Sequence, residues 1–213
     1  MNGVFITGSN TGVGKTTVSV DIIKHLRKNR QIVVRKPVET DCEVVNGVYV
    51  PKDAINLNKA CSSGESLETV CPFCFEQEVS PEEAGIRSRR PLDLDDLVRA
   101  CNSRVGDNFV FVEGAGGLYS PIANKALNSD LAAKLDLPIV IVVRNELGSV
   151  SQALLTINAA NSQQLKIACV VLNEIESNQL CNAEALRAYT EVPIVEYSKS
   201  KLSNFCLEIE RLI

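Results

Sequence analysis

Val4-Phe5-Ile6-Thr7-Gly8-Ser9-Asn10-Thr11-Gly12-Val13-Gly14-Lys15-Thr16-Thr17 decides how this chain is read. Val4-Phe5-Ile6 is a short continuous apolar run, the pattern of a strand buried on both faces. Beyond Lys15, Val18, Ile22, Ile23 and Leu26 recur at helical spacing. The glycine-rich stretch therefore joins a strand to a helix. A standard phosphate loop has four residues between its first glycine and the Gly-Lys pair. Here five separate Gly8 from Gly14, so the loop is a variant. Its physics is intact. Glycines let successive amides turn inward, and a helix starting near Lys15 aims its positive end at the same point. Lys15 can reach terminal phosphates, and the Thr16 hydroxyl suits magnesium. A plain glycine turn with a surface lysine explains neither the order nor the location. A dinucleotide fingerprint fits worse, because the last glycine is followed by Lys-Thr.

Working outward, the apolar runs at Ile32-Val33-Val34, Phe109 to Val112, Ile139 to Val143, Ile167 to Leu172 and Pro193-Ile194-Val195 read as further strands. Helical patterns fall between them at 16–29, 53–61, 94–101, 128–136, 149–160 and 183–189, with a last one in the tail. Pro81-Glu82-Glu83-Ala84 has the proline and acids of a helix start. Asn46-Gly47 between Val44-Val45 and Val48-Tyr49 predicts a small hairpin. The stretch from Ser62 to Ser80 reads as irregular. Alternating α and β elements with near-continuous apolar strands predict a parallel sheet covered by helices on both faces. Ligands in such sheets sit beyond the carboxyl ends of the strands. The loops after Gly8, Lys36, Glu113 and Asn173 are therefore expected to face one cleft.

The 213 residues, 45% of them hydrophobic, suffice for one core, and a single domain over 1–213 is expected. A net charge of -4, from 22 basic and 26 acidic residues, argues against a nucleic-acid footprint but not against one anionic ligand. No apolar run has membrane-spanning length, and the first residues lack the basic flank of a signal peptide. With 8 cysteines and no export signal, free thiols in a reducing, cytoplasmic compartment are expected. Cys71-Pro72-Phe73-Cys74 has half a zinc-site spacing. No second such pair exists and the single histidine, His25, falls in a helical stretch, so two half-buried thiols on a loop is the expectation.

The other strand ends carry the chemistry. Glu113 follows Phe-Val-Phe-Val, where a magnesium-side acid sits in a phosphate-loop protein, although Asp is commoner there. Glycines 114, 116 and 117 permit close backbone approach. Asp53, after Pro51-Lys52, is either a helix cap or a third oxygen donor beside Thr16 and Glu113. Lys36 ends a buried strand, where a cation costs desolvation unless it meets an anion. Arg87, Arg89 and Arg90 cluster in the irregular segment, either on an anion or in solvent.

These residues resemble the dethiobiotin synthetase family. The likeness rests on Gly8 to Thr16, Lys36-Pro37-Val38-Glu39-Thr40, Lys52-Asp53-Ala54, Ser80-Pro81, Val112-Glu113-Gly114-Ala115-Gly116-Gly117 and Asn173, in family order and spacing across nearly the whole chain. The resemblance implies a P-loop NTPase-like three-layer fold and an ATP-dependent cyclo-ligase. It would join CO2, derived from bicarbonate, to 7,8-diaminononanoate, and release dethiobiotin, ADP and phosphate. It implies ATP at Gly12-Val13-Gly14-Lys15-Thr16-Thr17, Glu113, Gly116 and Asn173, the last as adenine reader. Magnesium falls to Thr16, Asp53 and Glu113, and the catalytic roles to Lys36, Lys15 and Thr11. On the substrate side it implies Thr11, Lys36, Thr40, Ser80 and Pro81. Leu147-Gly148-Ser149-Val150 would receive the carboxylate tail across a homodimer interface, although helix capping is the plainer account of Ser149. Two departures stand out. Asp41 occupies a position where a small residue, often glycine, is commoner in the family, and Gly12 one where some relatives carry Glu. The rival is a P-loop ATPase of the partitioning or metal-centre assembly class, but those carry a second lysine where this loop has Asn10. The corrinoid amidating branch would need a glutaminase domain for which the chain has no room.

Overall fold

The computed structural model describes residues 1–61 and 63–213. In chain order the elements begin with β1 (Gly3–Gly8), α1 (Lys15–Leu26), β2 (Ile32–Arg35), β3 (Val38–Glu39), β4 (Glu43–Val45) and β5 (Val48–Val50). There follow α2 (Lys52–Cys61), α3 (Leu67–Val70), β6 (Phe73–Cys74), α4 (Pro81–Arg87), α5 (Leu94–Asn102) and β7 (Phe109–Glu113). The remainder comprises β8 (Pro121–Ala123), β9 (Ala126–Leu127), α6 (Asn128–Leu135), β10 (Ile139–Arg144) and α7 (Ser149–Ser162). Last come β11 (Ile167–Asn173), α8 (Asn182–Arg187), β12 (Ile194–Tyr197) and α9 (Leu202–Glu210).

Six of these strands form one sheet in the order β12-β11-β10-β1-β7-β2. Every pairing in it is parallel, so all six carboxyl ends lie along one edge. Side chains alternate between faces. Val4, Ile6, Val34, Phe111 and Val142 pack under α1, α2 and α9. Phe5, Val33, Val112 and Ile141 pack under α5, α6 and α7. The strands are apolar throughout because both faces are covered, the three-layer arrangement that their sequence predicts.

Register brings the strand-end residues together. Gly8 lies beside Val142, and Ile6 beside Glu113. Arg35 lies beside Val112, so Lys36, one residue on, falls next to Glu113. The hairpin forms as β4 and β5, with Asn46 at φ 53 and Gly47 at φ 78, the paired positive angles that an Asn-Gly turn supplies. Pro81 opens α4, with the Ser80 side chain accepting from the Glu83 amide as N-cap.

The segment expected to be irregular is partly regular. Ser62 lies outside the described residues, but α3 forms and β6 pairs in parallel with β3, Val38 opposite Phe73 and Glu39 opposite Cys74. A two-residue strand has no period to read, and its partner lies far back in the chain. Cys74 is thus in a strand, Cys71 is buried, and their sulfurs are 3.7 Å apart as free thiols. Arg87 pairs with Glu83 and Arg90 lies over the Phe73 ring, so these two arginines have local partners. Among the described residues no helix is long and apolar enough to cross a membrane.

Candidate active site

The loop after β1 turns through Gly12 at φ 75 and Gly14 at φ 86, left-handed angles natural to glycine. Gly14 caps α1, and a β-carbon there would collide with the Asn173 amide nitrogen. That nitrogen donates to the Val13 carbonyl at 2.8 Å, so the end of β11 braces the phosphate loop. The loop after β7 packs backbone to backbone on it: the Leu118 amide donates to the Gly8 carbonyl at 3.0 Å. Asn128, at the start of α6, clips this second loop. Its Nδ2 donates to the carbonyls of Ala115 at 2.6 Å and Gly117 at 2.9 Å, and its Oδ1 accepts from the Ala115 amide at 3.2 Å.

Below these loops lies a buried charge cluster. Glu113 is fully buried and accepts from Thr16 Oγ1 at 2.7 Å, Ser19 Oγ at 2.8 Å and Lys36 Nζ at 3.0 Å. Lys36 Nζ also donates to the Gly114 carbonyl at 3.1 Å and lies 3.3 Å from Asp53 Oδ2. Burial opposes charge on Lys36. Glu113, Asp53 and Glu39 outweigh it and hold the ammonium well above its ordinary range. Burial likewise opposes ionisation of Asp53, yet Lys36 keeps its carboxyl below the usual range. Lys15 has no such carboxylate of its own. Burial, then repulsion from Lys36, lowers its ammonium to about 8. Glu39 accepts from the Asp53 and Ala54 amides, both at 2.9 Å, and so caps α2, while burial pushes its carboxyl up to about 7.

A cavity of about 640 Å³ opens above this cluster. Thr11, Gly12, Gly14, Lys15, Thr16, Thr17, Lys36, Thr40, Asp53, Ser80, Pro81 and Gly116 line it, as the sequence motifs predict. Glu113 lies beneath, reached through Thr16 and Lys36. Val13 is buried, and its carbonyl is occupied by Asn173. Asn173 itself is buried and does not line this cavity, and its Nδ2 group is taken up by the Val13 carbonyl. Leu147, Gly148, Ser149 and Val150 stand outside the cavity at the start of α7. The Ser149 hydroxyl donates to the Arg144 carbonyl at 2.7 Å and to the Glu146 carbonyl, and accepts from the Glu146 amide at 2.7 Å. The N-cap of α7 is Gly148, so the serine ties down the loop that precedes the helix and does not cap it, contrary to the expectation from sequence. Ser19, Asn128, Glu78 and Ser120 also belong to the site and were not singled out by sequence. Ser19 carried a usable signal, a hydroxyl one turn beyond Thr16 on the same helix face.

The oxygen donors Thr16, Asp53 and Glu113 suit magnesium. The Lys36 ammonium bridges the two carboxylates, so this position already attracts positive charge. Among the described residues no group of three or more His, Cys, Asp or Glu forms a metal cage. Two carboxylates and a hydroxyl match an ion that keeps waters and shares a substrate's phosphates.

A parallel sheet with a phosphate loop after its central strand, a Lys-Thr pair opening the helix and an acid closing the next strand defines a P-loop NTPase. The family model of the AAA domain matches residues 2–196. The chain is 46% identical over 213 residues to the ATP-dependent dethiobiotin synthetase BioD of Ruthia magnifica subsp. Calyptogena magnifica, covering 100% of this chain and 99% of the relative. It is 34% identical over 207 residues to the protein of that name from Anaeromyxobacter sp. (strain Fw109-5), covering 95% and 85%. The chain belongs to the ATP-dependent dethiobiotin synthetase family. Among solved structures, a ParA family ATPase from Chlorobium tepidum TLS aligns with TM-score 0.59 at 9% identity, covering 100% of this chain and 92% of that one. MinD from Aquifex aeolicus aligns with TM-score 0.52 at 17% identity, covering 98% and 86%. At such identities the likeness is one of fold.

Proposed function

We propose that this chain catalyses the ATP-dependent carboxylation and ring closure of 7,8-diaminononanoate to dethiobiotin. The observation that carries the reading is Lys36, held charged between Glu113 at 3.0 Å and Asp53 at 3.3 Å, in the cavity that Lys15 also lines. A partitioning ATPase carries its second lysine within the phosphate loop, where this chain has Asn10.

The chemistry divides into three steps. One amine adds to CO2 and loses a proton, giving a carbamate. A carbamate oxygen attacks the γ-phosphorus, and ADP leaves. The neighbouring amine then attacks the carbonyl carbon, phosphate departs with the C–O electrons, and the amine releases its proton. In the first step Lys36 and the Thr11 and Thr40 hydroxyls orient the carbamate. In the second, negative charge grows on the transferring oxygens, where Lys15, Lys36 and the loop amides oppose it without reorganising. Thr16, Asp53 and Glu113 would hold magnesium, which supplies charge neutralisation on the phosphate oxygens. The third step joins groups already in one molecule, so orientation does most of the work. Ser80, at the N-cap of α4, and Pro81 close the substrate side.

A homodimer fits this reading. Leu147 is 89% exposed and Leu155, on α7, is 67% exposed, apolar surface that a second copy would cover. The amides opening α7 are suited to a carboxylate tail arriving from that copy. The test is incubation with magnesium-ATP, bicarbonate and 7,8-diaminononanoate, followed by mass spectrometry. Dethiobiotin that requires every component supports the proposal. ATP consumption with intact diamine refutes it.

A further inference from the structure

Three residues of the loop between β7 and β8 bring a backbone amide to the cavity wall: Ala115, Gly116 and Ser120. The Ala115 amide donates to Asn128 Oδ1, and the Ser120 amide to the Gly117 carbonyl at 3.0 Å. Among the described residues the Gly116 amide has no hydrogen-bond partner. Gly116 sits at φ 81, and a β-carbon there would fall 3.6 Å from Thr11 Oγ1, so this peptide stands beside the phosphate loop. Its direction is set from behind. The Gly116 N–H belongs to the same peptide unit as the Ala115 carbonyl, and that carbonyl accepts from Asn128 Nδ2 at 2.6 Å. In a planar trans peptide the N–H points opposite to the C=O. Asn128 is fully buried, so the N–H is turned away from the interior and toward the cavity that Gly116 lines. The same Nδ2 meets the carbonyls of Gly117 at 2.9 Å and Ser120 at 3.3 Å, which pins the loop on the far side of Gly116 as well.

We propose that Asn128 is a positioning residue for phosphoryl transfer: it holds the Ala115-Gly116 peptide so that the Gly116 N–H donates to an oxygen of the transferring group. The inference rests on the phosphoryl-transfer step proposed above. A donor fixed before the reaction opposes the growing negative charge without reorganising. Lys36 Nζ, on the Gly114 carbonyl at 3.1 Å, ties the same loop to the cation that faces the carbamate. Without the Asn128 donor the Ala115 carbonyl is free to turn into the cavity, where its lone pairs would repel the anion.

The experiment compares wild type with Asn128→Asp, Asn128→Ala and Gly114→Ala. The first keeps shape and acceptor but has no donor for the Ala115 carbonyl. The last sets a β-carbon 2.4 Å from Asn128 Oδ1 and displaces the amide from the loop side. Initial rates give kcat and KM, and a thermal melt reports folding. Calorimetry gives Kd for magnesium-ADP, alone and with aluminium fluoride, which mimics the transferring group. Loss of one preorganised donor predicts a fall of about 10²-fold in kcat and a comparable weakening of the aluminium fluoride complex. Kd for magnesium-ADP alone is expected to stay within about twofold. A kcat within about twofold of wild type in all three variants overturns the inference. So does a joint loss of kcat and magnesium-ADP affinity with a lowered midpoint, the signature of a collapsed loop. A measurement on the wild type covers variants that fail to fold. Isotopic labelling of alanine carbonyl carbons and glycine nitrogens marks only the Ala84-Gly85 and Ala115-Gly116 peptides for magnetic resonance. The Gly116 signal should move when aluminium fluoride joins magnesium-ADP, and a signal that stays in place overturns the inference. A wild type that forms no dethiobiotin refutes the proposed function instead, and the ADP titrations and the Gly116 signal still decide this inference.

Discussion

Raising the pH should loosen nucleotide binding mainly through Lys15, with a smaller share from Glu39, whose carboxyl on the same cavity, raised to about 7, finishes ionising over the same range. Burial and the Lys36 charge bring the Lys15 ammonium to about 8 in the ligand-free protein. Its neighbours hold Lys36 charged far above that value, so Lys36 does not titrate in the same window. A phosphate anion against Lys15 favours the charged form and raises its pKa on binding. The sign follows. Below pH 8 the charge is already present, and above it each binding event must bring a proton. At pH 9 about 0.9 of Lys15 is neutral and at pH 7 about 0.1, so proton uptake at pH 9 approaches about 0.9 per nucleotide and Kd weakens by about tenfold from pH 7 to 9. The assay is calorimetric titration with a non-hydrolysable ATP analogue at pH 9, where the terminal phosphate is fully ionised. Buffers of different ionisation enthalpy are compared, and the slope of observed heat gives the protons. Lys15→Met is expected to remove the uptake at pH 9 and most of the pH dependence, leaving the share that Glu39 contributes. Uptake near zero with a flat Kd would refute the reasoning that burial depresses this lysine.

Three further outcomes follow from the geometry. Gly14→Ala adds a β-carbon against the Asn173 amide at φ 86, so nucleotide binding should be lost in a titration with a fluorescent analogue. Adding Asn173→Ala should restore part of it by removing the clash and not the backbone cost. Asn173→Ala alone leaves the buried Val13 carbonyl without its donor, a loss of about 1–3 kcal/mol. ATP KM should then rise by about tenfold while diamine KM holds in initial-rate assays. Lys36→Met leaves Glu113 and Asp53 facing each other without their shared cation. Removing one member of a buried pair costs about 3 kcal/mol, which lowers the thermal midpoint by about 6–12 °C. Product formation should fall by at least about 10²-fold. Undiminished product formation by this variant would remove Lys36 from the mechanism.

What was legible in the sequence was what repeats or what only one residue type can do. The six sheet strands announce themselves as β-branched runs because both faces are buried, and Gly12 and Gly14 because the loop needs positive φ. The hairpin at Asn46-Gly47 was readable for the same reason. β6 was not, since Phe73-Cys74 becomes a strand only against Val38-Glu39. Asn128 was not either. It opens a helix whose pattern is clear, but nothing local says that its amide reaches back to Ala115 and Gly117. Asn173 was legible as the end of a strand but its hydrogen bond to the Val13 carbonyl was not, because nothing local says which way its amide turns.

The order of the strands explains why so few residues suffice. β1 sits between β10 and β7, and β7 between β1 and β2. In a parallel sheet adjacent strands end side by side, so three loops distant in sequence deliver Lys15, Glu113 and Lys36 to one place with no long connection between them. The side-chain parity of β2 and β7 then puts Lys36 and Glu113 on the α1 face, where Thr16 and Ser19 complete the cluster. Shifting either strand by one residue would send its charged group to the other face, into the apolar layer under α5 and α6. The cost of burying an unpaired charge there couples the register to the site: the pair that positions the chemistry also penalises the misaligned sheet.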